Sequence, residues 1–320
     1  MNPSMRRVAL IYNPISGRYS ARRAIALQQA IAVLRDAGVE VEAFEAGTPG
    51  SGSAHAREAV RRGCDSVIAC GGDGTVNEIL QGLVGTEAAL GVIPLGTANA
   101  LASNLGLIGP PANVVQKLLA SVPVRIPVGR IHYHTPDGNS ASRYFLVAAG
   151  IGPDALLMSR LDSRLKQRFG YALYLVEAAR IWATHNFPLF ETELIPNGIP
   201  TERVFTASQL LAVRVRSFGG ALGQLAPGAT LHSGWFHLIA FETRSRLAYF
   251  KFLIGVLAGR HKFNHEIELF ESGHVECRAH NGSQEKLFVE ADGEVLGSLP
   301  VRLEVVPQAV SLLIAPGVEA

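Results

Sequence analysis

A glycine-rich stretch of eight residues, Gly71 to Glu78, most constrains the fold of this chain, because it joins a buried strand directly to a helix. The residues before it, Ser66 to Cys70, form a short apolar run of strand length. From Thr75 onward, apolar residues recur at helical spacing. Glycine lets backbone N–H groups approach a ligand closely, and a helix N-terminus favours an anion. The stretch therefore predicts a strand, a turn and a helix that bind a phosphate group.

The acidic residue within this stretch indicates a metal ion. Asp73 lies among N–H groups that favour an anion, and its carboxylate would repel a phosphate group unless a cation lay between them. Magnesium prefers carboxylate and phosphate oxygens as ligands. The sequence therefore predicts Mg²⁺ held between Asp73 and phosphate oxygens.

The first third of the chain alternates between strand and helix patterns. Such alternation predicts a parallel sheet covered by helices, and ligands bind at the carboxyl ends of the strands in sheets of this kind. The predicted strands are 8–12, 39–44, 66–70 and 90–93, and the predicted helices cover 24–34, 53–62, 75–83 and 97–105.

The pattern changes near residues 122–128, after which short alternating strands dominate. The predicted strands are 144–148, 190–195, 209–215, 235–241, 274–277 and 287–291, with helices at 171–182 and 247–257. This half is typical of an antiparallel β-sandwich. The predicted fold class is α/β plus all-β, an N-terminal parallel-sheet nucleotide-binding domain with a C-terminal antiparallel β-sandwich domain. A cleft between the domains is the expected ligand site.

Composition excludes several functional classes. The chain has 320 residues, of which 48% are hydrophobic and 18% charged, so two domains with sizeable cores are expected. No apolar run reaches the roughly 20 uncharged residues that cross a bilayer, and Met1 to Arg7 lack the core of a signal peptide. Three cysteines without metal-ligand spacing fit a reducing cytoplasm. A net charge of +2 gives no support for nucleic-acid binding.

Two other strand ends carry turns of the same kind. Asn13-Pro14-Ile15-Ser16-Gly17 follows the first predicted strand, and Pro94-Leu95-Gly96-Thr97-Ala98-Asn99 follows the fourth. Thr97 is suited to capping a helix or donating to phosphate, and Asn99 to contacting a nucleotide or holding the loop. Three such turns at one edge of a sheet indicate a shared binding site.

Together these motifs resemble the diacylglycerol kinase catalytic-domain family, and within it the bacterial soluble lipid kinases, which are relatives of sphingosine and ceramide kinases. The resemblance covers nearly the whole chain in the family's order. Besides the three turns, the matching segments are Ala149–Ala155, Phe218–Gly220, Ala226–Ala229 and Asp292–Glu294.

The resemblance implies two domains and a kinase activity. An α/β ATP-binding domain would cover 1–125, with 308–320 returning to it through a last strand at about 311–314, and a β-sandwich lipid-substrate domain would cover 126–307. The implied reaction is transfer of the ATP γ-phosphate to a lipid hydroxyl, with ATP and Mg²⁺ as cofactors.

The resemblance also implies roles for individual residues. Asp73 would position Mg²⁺–ATP, and Thr48 matches a threonine that the family uses near the nucleotide. The residues implied to bind ATP are Asn13, Ser16, Thr48, Gly71, Gly72, Asp73, Gly74, Thr75, Glu78, Thr97 and Asn99.

The segment Asp292-Gly293-Glu294 supplies two carboxylates in a tight turn. Phosphoryl transfer needs alignment, charge neutralisation and a base for the attacking hydroxyl. By resemblance, Glu294 is the general base, and Asp292 is its neighbour, as a metal ligand or an orienting partner. From the residues alone, an acid-glycine-acid segment is also a common hairpin.

Two positions depart from the family pattern. Family members often carry an acid at the position of Ala100, and its replacement weakens the case for diacylglycerol as the substrate. Many bacterial members also carry an aspartate of a structural Mg²⁺ site at the position of Ser233. A hydroxyl is a poorer Mg²⁺ ligand than a carboxylate, so the structural metal is predicted to be absent or weak.

Alternatives remain open from sequence. A nicotinamide-dinucleotide kinase shares Gly-Gly-Asp-Gly-Thr, and a regulator would keep the pocket without turnover. The sequence predicts a cytoplasmic enzyme that associates transiently with the membrane surface, where it meets its lipid substrate, and it leaves a homodimer open. The segment Phe250–Ala258 is suited either to touching a membrane or to packing on the sandwich.

Overall fold

The computed structural model describes residues 5–14, 21–160, 171–195, 203–218, 225–226, 228–260, 263, 265–280 and 286–318. The chain divides into two compact units. The first comprises Met1–Val128 with Pro307–Ala320, and the second comprises Gly129–Val306.

The first unit contains a sheet of five parallel strands. Numbered along the chain, they are β1 (Arg7–Tyr12), β2 (Glu40–Glu45), β3 (Ser66–Gly71), β4 (Ala89–Pro94) and the end of β15 (Glu294–Ile314). Their order is β2-β1-β3-β4-β15. The central strand β3 is buried along its whole length, as its apolar sequence predicts. Ser311 and Leu312 of β15 pair with β4, so the predicted last strand does complete this sheet.

Helices connect these strands and fix the position of the glycine-rich turn. They are α1 (Ala21–Asp36), α2 (Ser51–Arg61), α3 (Asp73–Leu83), α4 (Ala100–Asn104) and α5 (Pro111–Leu119). At Gly82 of α3, an added Cβ would lie 2.5 Å from Ser53 O and 2.8 Å from Ala56 Cβ of α2. Glycine here lets the two helices approach closely, which holds α3 and therefore its N-terminus in place.

The second unit is a sandwich built on β15. Its other strands are β5 (Val122–His134), β6 (Ser140–Phe145), β7 (Ala148–Ile151), β8 (Phe190–Ile195), β9 (Arg203–Ala207), β10 (Gln209–Val213), β11 (Phe236–Phe241), β12 (Ile267–Ser272), β13 (His274–Ala279) and β14 (Phe288–Ala291). One antiparallel sheet runs β12-β11-β10-β7-β14-β15, and a second runs β9-β8-β13-β15, with β5 pairing β15 and β6. The long strand β15 thus belongs to both sheets.

Aromatic side chains from several strands form the sandwich core. Phe145, Phe190 and Phe236 are completely buried, and the rings of Phe145 and Phe236 stack 5.6 Å apart. Three helices accompany the sandwich in the described part of the chain: α6 (Pro153–Arg160), α7 (Tyr171–Thr184) and α8 (Arg246–Leu257). None of the helices in the described ranges is long and apolar enough to cross a membrane.

The predicted fold class is confirmed, since a parallel α/β sheet is followed by an antiparallel β-sandwich. The sequence analysis did not predict α5, α6, β5, β6, β9 or β12, and its predicted strand at 144–148 spans the break between β6 and β7. The β6 and β9 strands alternate only weakly and are partly exposed, while α6 is only eight residues long. Short elements of this kind depend on their neighbours rather than on local pattern.

Candidate active site

The carboxyl ends of β1, β3 and β4 lie side by side in the parallel sheet of the first unit. Tyr12 pairs with Cys70, and Gly71 pairs with Pro94, so these strands end at about the same level. The three turns singled out by the sequence therefore begin at one edge. This is the edge at which parallel sheets bind their ligands.

Two of these turns meet through their glycine backbones. A Cβ added to Gly96 would lie 2.5 Å from the Cα of Gly72, and one added to Gly72 would lie 3.1 Å from the Cα of Gly96. Helix α3 begins at Asp73, directly after Gly72, so the N–H groups of its first turn lie at the same edge. Bare backbone beside a helix N-terminus fits a phosphate group.

The Asp73 carboxylate links the two turns. Its Oδ1 accepts a hydrogen bond from Ala100 N at 2.8 Å, at the start of α4. Asn99 holds the second turn, since its Oδ1 accepts from Gly96 N and its Nδ2 donates to Gly96 O, both at 2.9 Å. Asn99 itself has φ 50°, which asparagine tolerates better than most residues. Of the two roles predicted for Asn99, the structure shows the one of holding the loop.

Glu78 organises the loop after β2. Its Oε1 accepts from Gly50 N at 3.2 Å, and its Oε2 accepts from Gly52 N at 3.1 Å. The same loop carries Thr48, which is exposed and whose N–H donates to Ser51 Oγ at 3.3 Å. Both Glu78 carboxylate oxygens therefore bind backbone N–H groups of the loop that carries Thr48, and its predicted binding of ATP stays a prediction.

The other predicted ATP-binding residues differ in exposure. Gly74 and Thr97 are exposed, and Asn13 is partly buried. Thr75 is buried, and it packs over Gly71, whose missing side chain makes room for it. Ser16 lies outside the described residues. Exposed groups at this edge are accessible to a nucleotide, whereas Thr75 supports the turn.

In the second unit, the Asp-Gly-Glu segment forms the hairpin turn between β14 and β15. Asp292 and Gly293 have φ of 47° and 83°, a geometry for which Asp-Gly is a preferred pair. Both Asp292 carboxylate oxygens accept backbone N–H groups, Oδ2 from Leu146 at 2.9 Å and Oδ1 from Val147 at 2.9 Å and Ala148 at 3.1 Å. Of the two roles predicted for Asp292, these bonds support the orienting one.

The predicted base, Glu294, forms an ion pair on this turn. Its Oε2 lies 2.6 Å from Arg143 Nη2, and 39% of its side chain is exposed against 21% for Arg143. The carboxylate is thus held in one direction while it stays accessible to a substrate. Arg143 was not identified from sequence, because an arginine on a half-exposed strand carries no distinguishing pattern.

Two more carboxyl groups lie beside the hairpin. Buried Glu290 accepts a hydrogen bond from Gly293 N at 2.7 Å, and its carboxyl group contacts that of Asp154 next to Gly150. Burial raises the pKa of Glu290 well above its ordinary value, and the nearby Asp154 raises it further; burial also raises the pKa of Asp154. Both shifts favour the protonated form of this carboxyl pair, because burial disfavours two adjacent negative charges. From sequence, Glu290 could have been identified because it is an acidic residue within an otherwise apolar strand.

The turn around Ser233 is held by a buried cation. Arg214 is completely buried, and its Nη2 donates to Leu231 O at 3.1 Å and to Ser233 O at 3.4 Å. Burial lowers the pKa of Arg214 to about 10, so the guanidinium is charged at neutral pH. The residues here do not fit a structural Mg²⁺, because Ser233 offers a hydroxyl and the carbonyl oxygens already accept from a cation. In the described ranges, no cluster of three or more His, Cys, Asp or Glu is suited to a metal.

Comparisons with known proteins identify the family of this chain. The family model described as "Diacylglycerol kinase catalytic domain" matches residues 7–131, and the one described as "YegS C-terminal NAD kinase beta sandwich-like domain" matches residues 147–314. A diacylglycerol kinase of Mycobacterium tuberculosis (strain H37Rv) is 30% identical over 315 residues, covering 96% of this chain and 94% of that protein. The chain belongs to the diacylglycerol kinase catalytic-domain family. It is an enzyme of the lipid kinase class, and these kinases are ATP-dependent phosphotransferases.

Solved structures share the fold of this family member. A diacylglycerol kinase from Bacillus anthracis str. Sterne matches with a TM-score of 0.70 and 18% identity, covering 98% of each chain. Yeast NADH kinase, solved in complex with NADH, matches with a TM-score of 0.52 and 11% identity, covering 99% of this chain and 85% of that one. The dinucleotide kinases thus share the fold, while the sequence similarity lies with the lipid kinases.

Proposed function

We propose that this family member transfers the γ-phosphoryl group of ATP to a hydroxyl group of a membrane lipid. The observation that carries the proposal is the contact of the Gly72 and Gly96 backbones beside the Asp73 carboxylate, at the N-terminus of α3. Bare N–H groups bind phosphate oxygens there, and a side chain at either glycine would fill the space. Thr97 and Asn13 lie at the same edge and extend the nucleotide site.

Asp73 is the proposed anchor of Mg²⁺ in this site. A carboxylate beside a phosphate-binding turn suits Mg²⁺, which takes one or two carboxylates together with substrate phosphates. When bound, the ion neutralises charge on the phosphate oxygens. The hydrogen bond from Ala100 N fixes the direction of the Asp73 carboxylate.

Glu294 is the proposed general base. It accepts the proton of the acceptor hydroxyl while that oxygen forms a bond to the γ-phosphorus, and the bond from the γ-phosphorus to the bridging oxygen of ADP breaks. Arg143 orients the Glu294 carboxylate, and Asp292 holds the turn through three backbone N–H groups. Glu294 acts on the substrate, whereas Arg143 and Asp292 act through Glu294.

The acceptor is a diacylglycerol, a sphingoid base or a related lipid. The names of the relatives, diacylglycerol kinase, favour diacylglycerol as the acceptor. Against it, this chain has Ala100 at a position where family members often carry an acidic residue. Ala100 is buried next to Asp73, so an acid there would place a second carboxylate beside the first. We therefore assign only the class of acceptor, a lipid hydroxyl at a cytoplasmic membrane surface. Experiment must identify the individual lipid.

The test is transfer of label from γ-labelled ATP, with Mg²⁺, to a panel of hydroxyl lipids in mixed micelles. Label in one lipid and not in NAD supports the proposal and identifies the acceptor. Label in NAD alone would make the enzyme a dinucleotide kinase, the activity of its distant structural neighbour. Bound ATP without transfer to any acceptor would indicate a regulator.

A further inference from the structure

Helix α8 of the second unit exposes an apolar face that packing does not explain. Its inner face is formed by Ala248, Phe252 and Val256, which lie in a buried cluster of the sandwich. Its outer face is apolar as well, with exposed fractions from 37% to 56% for Leu247, Phe250, Leu253, Ile254 and Leu257. An ordinary surface helix places polar residues on the outer face.

Trp182 of α7 extends this face. Its ring lies 5.8 Å from that of Phe250, and its Nε1 donates to Arg246 O at 2.8 Å, while 40% of the residue is exposed. The hydrogen bond satisfies the polar end of the indole and leaves part of the ring at the surface. Tryptophan and phenylalanine at the edge of an apolar helix face are typical of the membrane interface.

The charged residues of the segment that contains α8 are all basic. The segment 244–262 contains five Lys or Arg residues and no Asp or Glu. Of these, Arg244, Arg246, Lys251 and Arg260 are described and exposed. Basic residues beside an apolar helix face are attracted to anionic lipid headgroups.

We propose that α8 with Trp182 is the surface through which this enzyme docks on an anionic lipid bilayer. This proposal rests on the proposed function, because a lipid acceptor lies in a bilayer. The 12 residues of α8 are too few to cross the hydrocarbon core, which takes about 20, so the helix lies in the plane of the interface. A second copy of the chain is a poor occupant, because a symmetric contact through this segment would bring together the basic residues of both copies without an acid from the segment to pair with them.

The direct test uses the fluorescence of Trp182 in a W235F variant, which leaves one tryptophan. The protein is titrated with vesicles of neutral phosphatidylcholine, and with the same lipid containing 30% phosphatidylglycerol as the probe composition, each with and without brominated acyl chains. We expect a blue shift and quenching on the anionic vesicles. Vesicle binding without quenching, or no binding at all, would overturn the proposal.

The matched variants are Phe250→Ser/Ile254→Ser and, as control, Ile108→Ser/Val204→Ser. The control residues are 64% and 57% exposed, against 47% and 48% for the α8 pair. The α8 pair should weaken vesicle binding on the order of a hundredfold, and the control should bind as wild type. Lys251→Gln should weaken binding to the anionic vesicles about fivefold and leave binding to the neutral vesicles unchanged. Equal effects of the two pairs, or a wild-type dimer that the α8 pair dissociates, would overturn the proposal.

A kinase assay separates this proposal from the proposed function. The α8 pair should lose transfer to a long-chain acceptor in vesicles and keep transfer to a short-chain acceptor dissolved as monomers. Equal loss on both would place α8 in substrate binding rather than docking. If wild type labels no lipid at all, the proposed function fails, while quenching of Trp182 still decides the docking surface.

Discussion

The backbones of Gly72 and Gly96 are in contact, and a Cβ added to Gly96 would lie 2.5 Å from the Cα of Gly72. Two turns that follow different strands are thereby held together at the phosphate-binding edge. Because backbone is rigid, a side chain at Gly96 must push the turns apart rather than bend away.

Gly96→Ala should therefore weaken ATP binding and lower kcat, on the order of a hundredfold, because displacement of a positioned group by about 1 Å has effects of that size. Titration calorimetry with ATP and the labelled-lipid assay measure the two effects. Gly47→Ala is the control, since an added Cβ there meets only Glu45 Oε1 at 3.9 Å. Equal ATP affinity in the two variants would contradict the role of the glycine contact.

Two substitutions at Asp73 separate its proposed metal role from its contact with Ala100. Asp73→Asn keeps an oxygen that accepts from Ala100 N but removes the charge, so Mg²⁺-dependent transfer should fall by about two powers of ten or more with little change in Tm. Asp73→Ala should lose transfer and also about 1 kcal/mol of unfolding free energy, as a helix cap does. Full activity of the Asn variant would rule out the metal role.

Glu294→Gln should lower turnover by about two or more powers of ten, the size of general-base effects, without changing ATP affinity. Arg143→Gln removes the ion-pair partner at 2.6 Å and should lower kcat less, because the base remains. The dependence of kcat on pH distinguishes the two variants. Arg143→Gln keeps the Glu294 carboxylate, so its pH profile can shift, whereas Glu294→Gln has lost the group that titrates. Wild-type turnover in Glu294→Gln would refute the base assignment.

Most of the nucleotide edge could be predicted from sequence, because each of its turns follows a buried strand in a local pattern. Gly71 to Thr75 and Gly96 carry that pattern within a few residues of the strand ends. The role of Glu78 could not be predicted, because it binds Gly50 and Gly52, more than 20 positions away. Such a contact depends on the packing of α2 against α3.

The second unit was predicted less completely, because its contacts also join residues that lie far apart in the sequence. Asp292 accepts from Leu146, and Arg214 contacts the turn at Ser233, through strands that are neighbours only in the folded sheets. The sequence indicated a hairpin at Asp292 and a missing acid at Ser233, but neither pattern identifies the partner. Non-local pairing of strands therefore limits what motifs alone can show.

The Glu290–Asp154 pair predicts a pH-dependent stability. Burial raises the pKa of Glu290 in the folded state well above 4.5. The stability that protonated Glu290 contributes is therefore fully present below its pKa in the unfolded chain, and it is lost as pH rises through its pKa in the folded protein. Glu290→Gln removes this pH dependence. The free energy of unfolding of the variant should therefore rise relative to that of the wild type as pH increases, by up to about 1.4 kcal/mol per pH unit. Urea unfolding from pH 5 to pH 9 measures it, with exposed Glu87→Gln as control. A difference that stays constant with pH would contradict the raised pKa of Glu290.

The last prediction concerns the turn at Ser233, where Arg214 supplies the cation. Without nucleotide, Tm of the wild type should be the same in Mg²⁺ and in EDTA, because no structural metal is required. Arg214→Met leaves the carbonyl groups of Leu231 and Ser233 without that donor and should cost about 3 kcal/mol, whereas exposed Arg216→Met should cost far less. Adding Ser233→Asp to Arg214→Met restores an acid without the guanidinium, so Mg²⁺ should raise Tm of that double variant only. A drop in wild-type Tm on adding EDTA would show that the turn binds a metal after all.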